Sequence, residues 1–321
     1  MGKMQEYSRH RTKKSAKQML QMIKKKTTIR LKSARLVKRG DLWVLYIQRK
    51  GMRAVASSKP QLKKSLKKAN KLIKRNLNVR DKKVLRHIVL RFKKGHDTKA
   101  LFTTKGKYTP ARKKIHNNIV KKILKMDRPT KNPDLYILGG VAGSGKTEVL
   151  AKMIKERCVV VNNDDIKKEL ARHTPSPIKK YLLAHATLLH RESQDIEKQV
   201  IKKLLQQKKD IILDRTLATF KKSYTTVKKF KNKGYKITTL GTNLPPHIAI
   251  LSATRRFLKK GRYVPLKNVI AKKGNRINRN VLKMARSDVS HKSTVYDTTV
   301  RKKPKVLYQK GKKRRKRKKK R

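Results

Sequence analysis

The hydrophobic positions change period about a third of the way along the chain. Upstream, apolar and polar residues alternate over 28–37 and again over 42–48, separated by Lys38-Arg39-Gly40-Asp41. Period two on either side of such turn chemistry predicts a β-hairpin. Residues 61–74 instead place Leu62, Leu66, Ala69, Leu72 and Ile73 at helical spacing with lysines elsewhere, which predicts a helix with a basic exterior. A shorter basic helix is predicted over 16–23. Trp43 and Tyr46 fall in the second hairpin strand, where they suit a core better than a base-stacking platform. Beyond residue 109 the pattern becomes helical over 111–124. Short apolar runs then follow at 134–138 (DLYIL), 158–161 (CVVV), 210–213 (DIIL) and 235–240 (YKITTL), with helical stretches between. Strands alternating with helices predict an α/β fold, a parallel sheet with helices on both faces.

Charge changes the picture most. The 321 residues carry 94 Lys+Arg against 18 Asp+Glu, a net +76. Such a chain repels itself unless a polyanion neutralises it. Nucleic acid is the natural one, because cationic side chains displace its condensed counterions. Handling a small anion would not require this much charge. No apolar run reaches 18 residues, and no aromatic-anchored amphipathic helix stands out, so no membrane partner is expected. The first 26 residues lack an apolar signal core. Cys158, the single cysteine, lies in the apolar run CVVV and reads as a buried reduced thiol. These features place the chain in the cytoplasm with nucleic acid, in a virion, or in a nucleus if the source is eukaryotic.

The charge is unevenly spread. Residues 1–129 hold 42 basic and 5 acidic side chains, residues 130–300 hold 37 and 13, and residues 301–321 hold 15 and none. Ten of the 18 acids lie between Glu148 and Asp214, and none between Arg215 and Ser287. Three regions follow: a basic α+β nucleic-acid-binding region (1–104), an α/β domain (105–300) and a Lys/Arg tail (301–321). A block of like charges stays disordered until it meets a polyanion. A nuclear localisation signal has the same composition.

The strongest chemical signal is Gly140-Val141-Ala142-Gly143-Ser144-Gly145-Lys146-Thr147, a complete G-x-x-x-x-G-K-T match between a predicted strand and a predicted helix. Glycines let backbone N–H groups turn towards phosphates, and the helix N-terminus adds partial positive charge. Gly140, Gly143, Ser144, Gly145, Lys146 and Thr147 are therefore the nucleotide-binding candidates. Lys146 would reach the β- and γ-phosphates, and the Thr147 hydroxyl would ligate Mg²⁺. After CVVV comes Asn162-Asn163-Asp164-Asp165, opening a helix. A carboxylate there can take a proton from an attacking hydroxyl or cap the helix; Asp164 suits the base and Asp165 the cap. Asp214 ends the DIIL strand and Thr216 follows, positions open to a metal or acceptor. Arg255, Arg256 and Arg262 lie further on, where guanidinium groups can spread transition-state charge.

In order and spacing, these pieces resemble the zeta-toxin family of P-loop kinases across roughly residues 105–300. The similarity takes in Thr109-Pro110-Ala111-Arg112 and His116-Asn117-Asn118-Ile119-Val120, the glycine-rich loop, and Asn163-Asp164. It continues through the helix with Glu192, Leu213-Asp214-Arg215-Thr216, Arg256-Phe257, Gly261-Arg262-Tyr263-Val264-Pro265 and Val295-Tyr296-Asp297. The resemblance implies an ATP- or GTP-dependent phosphotransferase. Lys146 and Thr147 would hold phosphates and Mg²⁺, and Asp164 would be the base. Glu192, Asp214 and Thr216 would face the acceptor, while Arg256 and Arg262 would clamp phosphates. The family's toxins phosphorylate UDP-N-acetylglucosamine, and an antitoxin-like partner is implied. The chain departs from the family at Arg215, where glycine is common. The Asn-Asn-Asp-Asp segment also resembles polynucleotide 5′-kinases, so a polynucleotide 5′-hydroxyl is a second acceptor. Two other readings stand beside the kinase: a packaging or condensing protein of a virion or ribonucleoprotein, and a nucleic-acid-remodelling ATPase.

Overall fold

The computed structural model describes residues 54–78, 82–84, 86, 90, 97–125, 129–146, 148, 158–174, 188–261, 263–300 and 303–311, with the backbone of three strands further upstream. The predicted helix over 16–23, the turn residues Gly40 and Asp41, and the side chains of Trp43 and Tyr46 lie outside the described residues. So do most of the helix expected after the glycine-rich loop and the residues from 312 onwards. Met1–Arg53 and Ala54–Arg321 form two compact units.

In the first unit, β1 (Gln5–His10), β2 (Leu31–Arg39) and β3 (Leu42–Arg49) make an antiparallel sheet in the order β1-β3-β2. Arg39 faces Leu42, so the hairpin expected from the alternating pattern is formed.

The second unit opens with α1 (Lys59–Asn76). Ser58 caps it in a reciprocal box with Gln61, and Pro60 suits the first turn, where a missing N–H costs nothing. Then come α2 (Thr98–Leu101), the short hairpin β4 (Thr103–Thr104) and β5 (Lys107–Tyr108), and α3 (Pro110–Leu124), capped by Thr109. The alternating part follows: β6 (Asp134–Gly139), β7 (Val159–Asn162), α4 (Asn163–Arg172), α5 (His190–Gln207), β8 (Ile211–Asp214), α6 (Phe220–Asn232) and β9 (Lys236–Asn243). Last are α7 (Pro246–Lys260), a π-helical turn (Leu266–Ala271), α8 (Gly274–Arg286), β10 (Lys292–Asp297) and β11 (Lys305–Lys310). Among the described residues, no helix is long and apolar enough to cross a membrane.

The main sheet runs β11-β10-β9-β6-β8-β7, parallel throughout except for antiparallel β11. Period two divides its core. Leu135, Ile137, Ile211 and Leu213 enter the large helix-backed cluster, while Tyr136, Leu138, Ile212, Cys158 and Leu240 form a smaller one. Cys158 is buried and unbridged, as its apolar run predicts. β11 differs from expectation: residues 305–310 fall in the stretch that charge alone places in the tail. Val306, Leu307 and Tyr308 interrupt the charge, and the strand pairs with β10 from Ser293↔Lys310 to Asp297↔Lys305.

Register positions the site. From β6 the chain crosses to the sheet edge at β7, returns to β8 beside β6, then passes to β9 on the other flank. That reversal makes the carboxyl end of β6 a topological switch point, where open α/β sheets bind ligands. Leu138↔Asp214, Asn162↔Asp214 and Gly139↔Gly241 pairs bring the ends of β6, β7, β8 and β9 level.

Candidate active site

The glycine-rich loop leaves β6 at this switch point. Gly140 and Gly143 have φ of 153° and 87°, conformations that disfavour a side chain. Space excludes one as well: a Cβ on Gly140 would collide with the Thr242 hydroxyl, and one on Gly143 would stand 3.0 Å from the Ala249 carbonyl oxygen. The loop is therefore pressed between β9 and α7. The Ser144 and Thr242 hydroxyls, 2.6 Å apart, pin it to β9. Lys146 spans the loop, its Nζ donating to the Gly140 carbonyl at 3.1 Å and standing 3.8 Å from Asp214 Oδ1. A tight glycine cradle crossed by an ammonium group fits a phosphate chain.

Asn162 ties the neighbouring strand to this centre. Its Nδ2 donates to Asp214 Oδ2 at 3.0 Å, and its Oδ1 accepts from the Asp164 N–H at 2.8 Å. Asn162 is thus the N-cap of α4, which corrects the capping role expected of Asp165; Asp165 instead pairs with Lys168 at 2.6 Å on the surface. Asp164 joins that cap through its backbone N–H. It sits in the first turn of α4, where the helix dipole favours negative charge, 36% exposed and 3.3 Å from Lys167 Nζ. Lys167 is only 13% exposed, and burial pushes its ammonium down to about 8 against the attraction of Glu197.

Glu197 is a site residue that the sequence does not announce. From the middle of α5 it accepts from Asn163 Nδ2 at 2.7 Å and from Arg215 Nε at 2.8 Å. Arg215, the departure from the family pattern, is therefore held by a carboxylate, with Thr226 as a further acceptor at 3.4 Å.

Glu192 stands apart. It is fully buried, its Oε1 taken by Arg112 Nε at 2.6 Å and His116 Nε2 at 2.7 Å, and its Oε2 by Arg112 Nη2 at 3.1 Å. Arg112 also donates to the His173 carbonyl and lies over the Phe102 ring. This triad joins α3 to α5 and leaves no carboxylate surface for an acceptor. Thr216, two residues beyond Asp214, is exposed beside the site. Arg256 is half-buried on α7, one turn beyond Ser252 and Ala253, which face Gly143. Thr147 and Arg262 lie outside the described residues. The structure thus brings Lys146, Asp164 and Asp214 together through Asn162.

The sequence profile of the Zeta toxin family matches residues 117–313. No curated protein matches the chain. Among solved structures, the AvrRxo1-ORF1:-ORF2 complex with ATP is 18% identical, with a TM-score of 0.51, covering 63% of this chain and 68% of that one. A structure from the PezAT chromosomal toxin–antitoxin system of Streptococcus pneumoniae is 17% identical with a TM-score of 0.46, covering 63% and 81%.

Proposed function

We propose that this chain, which belongs to the zeta toxin family, transfers the γ-phosphoryl group of ATP to a hydroxyl, with Asp164 as the general base. One observation carries the reading: Asn162 holds both Asp214, beside Lys146, and the backbone of Asp164, so phosphate-binding and proton-accepting groups share one frame.

The glycine cradle and Lys146 would bind the β- and γ-phosphates. Arg256, with Arg262 beyond the described residues, would balance their charge. Asp214, a carboxylate of the kind hard cations prefer, and Thr147 would hold Mg²⁺, which neutralises charge developing on the phosphates. Asp164 accepts the acceptor hydroxyl's proton as the new O–P bond forms and the bond to the β-phosphate oxygen breaks, releasing ADP. Lys167 positions the Asp164 carboxylate, and Asn163, through Glu197, braces Arg215 at the acceptor side.

ATP, the nucleotide in the AvrRxo1 complex, is the first donor to test. The acceptor is a sugar nucleotide or a polynucleotide 5′-hydroxyl, and Arg215 and Thr216 flank where it would enter. The charge of +76 supports association with nucleic acid in the cytoplasm. Both structural relatives come from systems with a second component, which supports an antitoxin-like partner. The excess of 37 basic over 13 acidic residues across 130–300 also favours a nucleic-acid-packaging role for the same fold. The test is transfer of labelled γ-phosphate to a panel of UDP-sugars and 5′-hydroxyl oligonucleotides. Label in at least one acceptor is expected; ATP hydrolysis with no labelled acceptor would favour the remodelling ATPase.

A further inference from the structure

Helix α1 carries eight cations among its 18 residues and no acid. Lys63, Lys64, Lys67, Lys68, Lys71 and Arg75 are all exposed. Five pairs of cations stand at i,i+4: 59 with 63, 63 with 67, 64 with 68, 67 with 71, and 71 with 75. Each like-charge pair at that spacing weakens a helix, and no carboxylate on α1 relieves it.

The opposite face is firmly held. Leu62, Leu66, Ala69 and Ile73 pack into the core against α7, the helix that touches Gly143. Just before the helix, Val55 N–H donates to Asn243 Oδ1 at 2.8 Å, and Asn278 Nδ2 donates to the Val55 carbonyl at 2.7 Å. The Ser57 backbone makes two bonds with Asn275, at 2.8 and 2.9 Å, and its hydroxyl meets His247 Nδ1 at 2.9 Å. The lysine face is therefore presented by a fixed helix, not by a loose arm.

We infer that α1 is a docking surface for the phosphate backbone of duplex DNA. Lys64, Lys68, Lys71 and Arg75 form one stripe about 16 Å long, at 1.5 Å per residue. The helix contains no aromatic residue, so it lacks the stacking platform that single strands use. The major groove of B-form DNA admits an α-helix, so the stripe can meet the phosphates that line it, whereas the deep, narrow A-form groove of duplex RNA excludes a helix. The inference rests on reading the charge as a nucleic-acid signature and is independent of the kinase chemistry.

The experiment compares the full-length protein with a variant carrying K64Q, K68Q, K71Q and R75Q, in duplex-DNA binding across a salt series. A control variant neutralises Lys221, Lys222, Lys228 and Lys229 on α6, equal in charge and exposed. The α1 variant should flatten the log–log salt slope by about 3 to 4, so its affinity falls about 10²-fold less between about 50 and 200 mM salt. Its melting temperature should hold or rise as repulsion is relieved, and phosphoryl transfer without DNA should be unchanged. An α6 variant that flattens the slope equally, or an α1 variant that keeps the wild-type slope, overturns the assignment. Salt-indifferent binding by wild type overturns the charge reading itself. Duplex RNA or single-stranded DNA bound as tightly, with the same dependence on α1, overturns the choice of duplex DNA.

Discussion

Two glutamates five residues apart on α5 have opposite fates. Glu192 is sealed with Arg112 and His116, while Glu197 turns to Asn163 and Arg215 at the site. Removing one partner of a buried ion pair leaves the others uncompensated, so Glu192→Gln should cost about 3–5 kcal/mol in denaturant unfolding. Burial alone would raise the Glu192 carboxyl, but hydrogen bonds from His116 and Arg112 outweigh it and hold it at about 2, below its ordinary 4.5. Its stabilisation is therefore full above about pH 4.5 and lost as pH falls towards 2; Glu192→Gln should abolish that acid-side dependence. Lys167 gives an alkaline counterpart. With its ammonium at about 8, kcat should fall as pH rises past that value and the Asp164 partner loses its charge. Lys167→Arg should remove that limb and keep most activity, whereas Lys167→Met should lower kcat with little effect on KM for ATP. The glycine loop and Lys146 are legible because they are contiguous, and Asp164 because it follows an apolar strand. Glu197 and Thr242 are not, since their partners Asn163 and Ser144 lie 34 and 98 residues away in sequence. The similarity places Glu192 at the acceptor; the buried environment supplied by Arg112 and His116 is invisible to spacing.

At the scale of elements, β6, β7 and β8 announce themselves because burial on both faces demands nearly unbroken apolar runs. β11 does not. It is an antiparallel edge strand with three of its six residues polar or charged, so it reads as part of the tail that follows. Its lysine works structurally: Lys310 Nζ donates to the Ser287 and Ser290 carbonyls at 3.1 and 2.6 Å, closing the end of α8 onto the sheet. A chain ending after Gly311 should therefore melt no lower than the full-length protein does. One ending at Lys303 uncovers the β10 edge and should melt several degrees lower, as differential scanning calorimetry would show. The helix predicted over 61–74 forms over 59–76, but its seat depends on Asn243, Asn275 and Asn278, more than 180 residues from the segment they hold.

The whole molecule sets a compact α/β core against a net charge that opposes compaction. Among the described residues most cations are exposed, and with 18 acids against 94 cations few can pair, so screening should relieve the repulsion. The melting temperature should rise between about 0.05 and 0.5 M salt, over which the Debye length shrinks severalfold. A flat or falling trend would mean the exposed ion pairs outweigh the repulsion. Within that charged shell three acids meet at the site: Asp164, Glu197 and Asp214 lie at the ends of neighbouring strands or on the helix beside them. On the proposed kinase reading, Lys146 binds phosphate and Asp164 accepts the proton, two separable duties. The most direct test of that reading measures ATP affinity and γ-phosphate transfer together in Lys146→Met and Asp164→Asn. Lys146→Met should lose ATP affinity, while Asp164→Asn should bind ATP like wild type and transfer phosphate about 10²- to 10⁴-fold more slowly. Asp164→Asn transferring at the wild-type rate, or Lys146→Met binding ATP undiminished, would contradict it.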